Sequence, residues 1–230
     1  MKATKTAVVL LAFGLAVAQP LAAGAGTQDL RALGRGAIPN PFGNGPSRAT
    51  AHDPDVFLRE GVEATKQMMV AAAVLAQMAR NKDDMAGIRM RVNAIQNIES
   101  ADELGAYNAA FEDDIDALKT NASDAADLQA IYDSANRNQR SLMLDAGVNM
   151  IRAGLIDAQL MGDFSNMLSS AARNPANISK VGHLRTLGGL AGSQLNAVGS
   201  MIGPVTALLR SQNVAVPDDA NLGRARTISL

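Results

Sequence analysis

From Val181 to Leu209 the chain places Val181, Leu184, Gly188, Ala191, Leu195, Val198, Ile202, Val205 and Leu209 at intervals that alternate between three and four residues. That spacing keeps one apolar stripe on the same side of an α-helix for about eight turns, and a strand, with its period of two, has no use for it. The stripe demands a helical partner surface. Gly188, Gly189, Gly192, Gly199 and Gly203 lie in the same segment, and each lowers intrinsic helix stability by up to about 1 kcal/mol relative to Ala. Either close helix approach offsets that loss or the segment is flexible until it meets a partner.

The remainder of the chain reads as helix too. Asp53-Pro54 offers an N-cap acceptor followed by Pro at the first helical position, where its missing N–H is not needed. Met68, Ala71, Leu75, Met78, Met85, Ile88, Val92 and Ile95 then recur at helical spacing, predicting one long helix over 53–99 with a polar patch, Asn81-Lys82-Asp83-Asp84, as a possible interruption. Ser100 and Glu103 match a capping box and open a short helix over 100–120 with Leu104, Tyr107, Phe111, Ile115 and Leu118 on one face. A second long helix is predicted over 123–173, starting at Ser123 and ending before Asn174-Pro175. The third covers 179–210, opens at Ser179 and is expected to bend at Gly203-Pro204. Short connections make long neighbours antiparallel. The expected fold is all-α, an elongated three-helix bundle over 53–210 with a small helical appendage, followed by a disordered or partner-bound tail over 211–230.

Ahead of the bundle, Lys2 and Lys5 precede an apolar run from Ala7 to Ala18, and small-x-small sites end at Ala18 and Ala25. This pattern predicts a signal peptide over 1–25, cleaved after Ala18, Ala23 or Ala25. The run falls short of the roughly 20 residues of a membrane-spanning helix, so no membrane span is expected in the mature chain. Residues 26–52 are rich in Gly and Pro and read as a flexible leader. The expected location is the periplasm or the cell surface. Without Lys2 and Lys5, 19 basic side chains face 22 acidic ones, a formal charge of −3; that near balance gives no nucleic-acid footprint. There is no Cys, so neither a disulfide nor a cysteine-linked lipid contributes.

Chemistry-bearing residues are few. His52 and His183 are the two histidines and supply neither a metal cluster nor a nucleophilic triad. Glu112-Asp113-Asp114-Ile115-Asp116 concentrates carboxylates but lacks the glycine-turn loop of a calcium site and reads as a solvated helix face. Met68, Met69, Met78, Met85 and Met90 invite a Cu(I) reading through their thioethers, whereas Met68, Met78 and Met85 fall on the core stripe, where Met fills gaps. Gly34-Arg35-Gly36 lacks the strand and helix of a phosphate loop. No enzyme activity, cofactor or metal site is expected. A periplasmic helical binder or chaperone for a metal, heme or apolar cargo is the alternative to an assembly role.

An exported, cysteine-free chain of this helix order resembles the TrbJ-type family of conjugal-transfer proteins, relatives of the minor pilus-tip subunits of type IV secretion systems. The likeness rests on the Asp53-Pro54 entry, the amphipathic stretch from Ala64 to Ala79, the break at Asn174-Pro175-Ala176-Asn177, and the run from Leu187 to Asn196 leading to Leu208-Leu209. It covers roughly 50–210 and departs from the family in using Ala, Asn and Gly where the long helices are usually Gln-rich. The resemblance implies a non-catalytic role in pilus assembly or recipient contact, with other secretion or pilus subunits, or a second copy, as partners. No single functional residue carries over from the family; the interface is expected on the small-residue face of the last helix, Gly188, Gly192, Leu195, Gly199 and Ile202, together with Phe111 of the appendage, because small residues permit close backbone approach and a tip role needs exposed contacts.

Overall fold

The computed structural model describes residues 53–80 and 85–230. The expected signal peptide, the leader and the polar patch at 81–84 lie outside them. Among the described residues seven α-helices follow one another: α1 (Pro54–Ala79), α2 (Met85–Gln96), α3 (Ala101–Gly105), α4 (Asn108–Asn121), α5 (Ala125–Ser134), α6 (Arg137–Arg173) and α7 (Lys180–Ser211), with a 3₁₀ turn at Pro175–Asn177. The fold is all-α, as the periodicity requires.

Helix starts are set by local chemistry. The Asp53 side chain accepts the Asp55 N–H at 2.8 Å, and the Ser100 hydroxyl accepts the Glu103 N–H at 3.3 Å. At the next start Asp124, rather than Ser123, is the cap, accepting from the Ala126 and Asp127 N–H groups at 2.8 and 2.9 Å. The helix predicted as unbroken over 123–173 is two helices. Ala135 is extended, with ψ of 150°, and Asn136 begins a reciprocal capping box with Gln139. The amide pair satisfies two backbone N–H groups, which stabilises a new start inside an otherwise helical pattern. Likewise the appendage is α3 and α4 joined at Ala106–Tyr107, and Ser179 makes no side-chain cap because the 3₁₀ turn, capped by Asn174, already feeds α7.

Three long helices make the centre. The Phe57 and Phe164 rings lie 6.5 Å apart and Arg152 donates to Gln67 at 2.6 Å, so α1 and α6 run antiparallel. Gly188 faces Phe164 while Gly147 faces Val205 and Leu209, so α6 and α7 are antiparallel too. Gly61 against Leu187 and Lys180 on Asp55 at 2.6 Å set α1 parallel to α7. With 37 residues, α6 is about 55 Å long at ~1.5 Å rise per residue. α1 is covered on every side from Met68 to Ala76, because α2 and α4 lie over the face that α6 and α7 leave free. Its Met-Met-Val-Ala-Ala-Ala-Val-Leu-Ala sequence, apolar all round, suits a central position.

The glycines of α7 divide by environment. A Cβ on Gly188 would lie 2.5 Å from two atoms of the Phe164 ring, whereas at Gly189 and Gly203 it would meet nothing within 4 Å. Gly188→Ala is expected to destabilise the fold by about 1–3 kcal/mol through overpacking. Gly189→Ala should stabilise it by up to about 1 kcal/mol through helix propensity, and Gly203→Ala should gain less or lose stability, because a Cβ just before Pro204 meets the proline ring in helical conformation. Urea midpoints of the three variants decide this; a gain from Gly188→Ala would mean the ring is free to move aside.

The tail expected to be disordered is instead ordered. Pro217, Leu222 and Ile228 are buried, and the segment holds itself by a turn at Asp218–Asn221. Its apolar residues have no helical or strand period because an extended strap touches the bundle at irregular intervals, which periodicity cannot register.

Candidate functional site

An assembly surface needs side chains that the chain itself leaves uncovered. Of the six residues expected there, Gly188, Leu195, Gly199, Ile202 and Phe111 are buried in the protein's own core, and Gly192 is half-buried beside Met161. The seam of α7 is therefore closed intramolecularly, against α1 and α6. The correction has a simple cause: an apolar stripe reports that a face is buried, while burial energy is non-directional and does not say by whom. The face of α7 turned to solvent carries Gly189, Asn196, Ser200, Gly203 and Ala207. Pro204 lies inside the helix, which continues through it to Ser211.

At the other end of α1, the chain from Gln96 to Ala101 and the first turns of α7 border a cleft of about 610 Å³. Asp55, Arg59, Glu63, Lys66, Glu99 and His183 line it, with both signs of charge interspersed. Lys66 pairs with Glu63 at 3.0 Å, and the His183 Nδ1 atom lies 2.9 Å from Asp102 on the exposed surface. Such a cleft offers paired charges rather than one field for a single ion.

Two carboxyl groups are buried where the sequence suggested a solvated face or nothing at all. Glu112, Asp113 and Asp116 are exposed as expected, but Asp114 is 1 % exposed. It accepts from Arg80 at 2.9 Å and is paired with Arg91, while Arg80 also donates to the Asp113 carbonyl at 3.0 Å. Burial raises the Asp114 carboxyl above the ordinary aspartate range, and the two guanidiniums pull it part of the way back. The cluster fastens the end of α1, α2 and α4 together. Asp157 of α6 is wholly buried, neither of its oxygens has a hydrogen-bond partner, and burial pushes its carboxyl well above the ordinary range. Gln194 of α7 and Thr65 of α1 are also fully buried with side-chain atoms unpaired. The register described above sets all three within about one helical turn of the same level, one polar side chain from each long helix.

Among the described residues no group of three or more His, Asp or Glu side chains could hold a metal ion, and no helix is long and apolar enough to cross a membrane. Met68, Met69 and Met78 are buried, Met85 is half-buried against the core and Met90 is exposed, so Met69 joins the core beside the three methionines the stripe assigned to it.

The residues that sequence reasoning missed are polar ones inside apolar stretches. Asn149 is 3 % exposed and holds the tail: its Oδ1 accepts the Arg226 N–H and its Nδ2 donates to the Arg226 carbonyl, both at 2.8 Å. Arg226 also pairs with Asp145 at 2.9 Å. The only signal in the sequence is an Asn between Val148 and Met150 on a helix whose neighbours are apolar. Comparison with known proteins finds no family model, curated protein or solved structure that matches this chain.

Proposed function

We propose that this chain is an exported structural or assembly subunit of a conjugation or type IV secretion apparatus, acting at the pilus tip or in pilus assembly, in the periplasm or at the cell surface. The observation that supports this most is the architecture: three long helices packed lengthwise, with α3 and α4 inserted between the first and second of them. That is the arrangement the resemblance to TrbJ-type proteins implies. The solvent face of α7 adds a surface of small side chains on which another helix can approach closely. The partners are other secretion or pilus subunits, and no step of catalysis is assigned to any residue.

The test is made in cells of the native host. A photo-crosslinking amino acid at Asn196 is expected to capture pilus or channel subunits, and the exported protein is expected to begin just after Ala18, Ala23 or Ala25. Loss of the chain should abolish transfer or pilus formation. Retention of the uncleaved chain in the cytoplasm, with transfer unaffected by its deletion, would overturn the reading.

A further inference from the structure

The C-terminal strap is bound the way a peptide ligand is bound. From Gly223 to Leu230 it runs antiparallel to α6: Arg152 Nε donates to the Gly223 carbonyl at 3.4 Å, Asn149 brackets both backbone groups of Arg226, and Leu230 lies beside Leu142. Leu222 and Ile228 are buried at either end of this stretch, while residues 223–227 between them are exposed. Recognition is thus directed at backbone groups of an extended segment, with two apolar anchors fixing its register, which is the logic of peptide docking. The link to the bundle is short and has an identifiable joint. Asn213 is the one non-glycine residue with positive φ, at 55°, among the described residues, just past the end of α7. That residue closes the end of α7, where the Val214 N–H donates to the Leu209 carbonyl at 2.9 Å, so a rotation there moves the strap at the cost of this one cap bond and leaves the rest of the helix intact.

We propose that the groove along α6 is a binding site for the C-terminal segment of a second copy of this chain, so that protomers associate by exchanging tails. The segment is known to fit, since it occupies the groove within the chain. The exchanged form makes the same contacts, so the difference between the closed monomer and the exchanged assembly is the effective concentration of the chain's own tail, plus whatever the joint at Asn213 contributes. Exchange therefore gains on the closed monomer as protomers are concentrated or held side by side. Nothing in this arrangement depends on where the chain works or on a secretion apparatus.

Two complementary variants of the full chain test it. Leu222→Asp with Ile228→Asp releases the tail and leaves the groove open; Asn149→Ala weakens the groove and leaves the tail intact. Circular dichroism first establishes that each is folded. Each alone is expected to run as a monomer in size-exclusion chromatography with light scattering, and the equimolar mixture as a species of twice that mass. An excess of synthetic peptide spanning 214–230 should return the mixture to monomers, and a scrambled peptide should not. If Leu222→Asp with Ile228→Asp perturbs folding, Arg226→Pro serves as the tail-defective partner, because it deletes the N–H that Asn149 accepts at an exposed position. A mixture that stays monomeric overturns the proposal, including when the open groove binds the free peptide, since the groove would then serve only the chain's own tail. A dimer that the scrambled peptide dissociates equally well overturns it too.

Discussion

Asp157→Leu should stabilise the bundle at neutral pH by about 1–3 kcal/mol, the typical cost of a buried polar group left without a partner, and should reduce the pH dependence of stability. The Asp157 side chain is fully buried with both oxygens unpaired, and Leu has the same number of heavy atoms in the same branching, so the swap adds little volume. In the folded chain burial holds the carboxyl protonated well above the ordinary aspartate range; in the unfolded chain it ionises near 3.9. Between those two values the folded state binds one more proton than the unfolded state. Stability therefore falls as pH rises through that window, with a slope of up to about 1.4 kcal/mol per pH unit.

The groups at the same level do not reverse this sign. On α1 they are Glu60, itself raised by burial and only partly offset by Arg59, and the paired Glu63 and Lys66. On α6 the nearest are Arg152, engaged with Gln67 and the tail, and Asp163. α7 has no ionisable side chain between Arg185 and Arg210. Urea midpoints at pH 5 and pH 8 are expected to differ more for the parent chain than for Asp157→Leu, in which the raised Glu60 and Asp114 carboxyls keep a smaller dependence of the same sign. Equal pH dependence in both would mean that Asp157 is ionised and solvated.

Asp114→Ala carries the opposite expectation, a loss of about 2–3 kcal/mol. Removing one partner of a buried ion pair costs about 3–5 kcal/mol, because the charge left behind has lost its compensation. The smaller figure follows from geometry: the Arg80 and Arg91 side chains are 26 % and 31 % exposed, so water recovers part of the loss. What remains is the separation of three elements, since this carboxylate is where Arg80 at the end of α1 and Arg91 of α2 meet α4. A drop in the urea midpoint with an unchanged slope is expected. A change below about 0.5 kcal/mol, the usual range for a surface substitution, would mean the arginines find other acceptors.

Much of the helical framework was legible in residue order. The Asp53-Pro54 entry, the Ser100 cap, the stop before Asn174-Pro175 and the inward stripe of α7 are all interactions between residues one to four positions apart, and such rules survive without knowledge of the rest of the chain. The break at Ala135–Asn136 was also local and was available in the Asn136 to Gln139 spacing, but an apolar period running through it concealed it. The ordered tail left no mark, because its partners on α6 are more than seventy residues away and its contacts are made to backbone.

By itself the sequence determined that the chain is all-α, where most of its helices start and stop, and which stripe of the last helix is buried. Capping and periodicity depend on neighbours a turn apart, so the order of residues contains them. Only the tertiary structure decided that the α7 seam closes on the chain's own α1 and α6, that Asp114 and Asp157 lie inside rather than in solvent, and that Asn149 holds the last residues of the chain. Those outcomes depend on which surfaces meet. Hydrophobic burial rewards any meeting that removes apolar area from water, so the choice is made by the packing of the whole chain, where a glycine admits a ring and an amide finds a backbone.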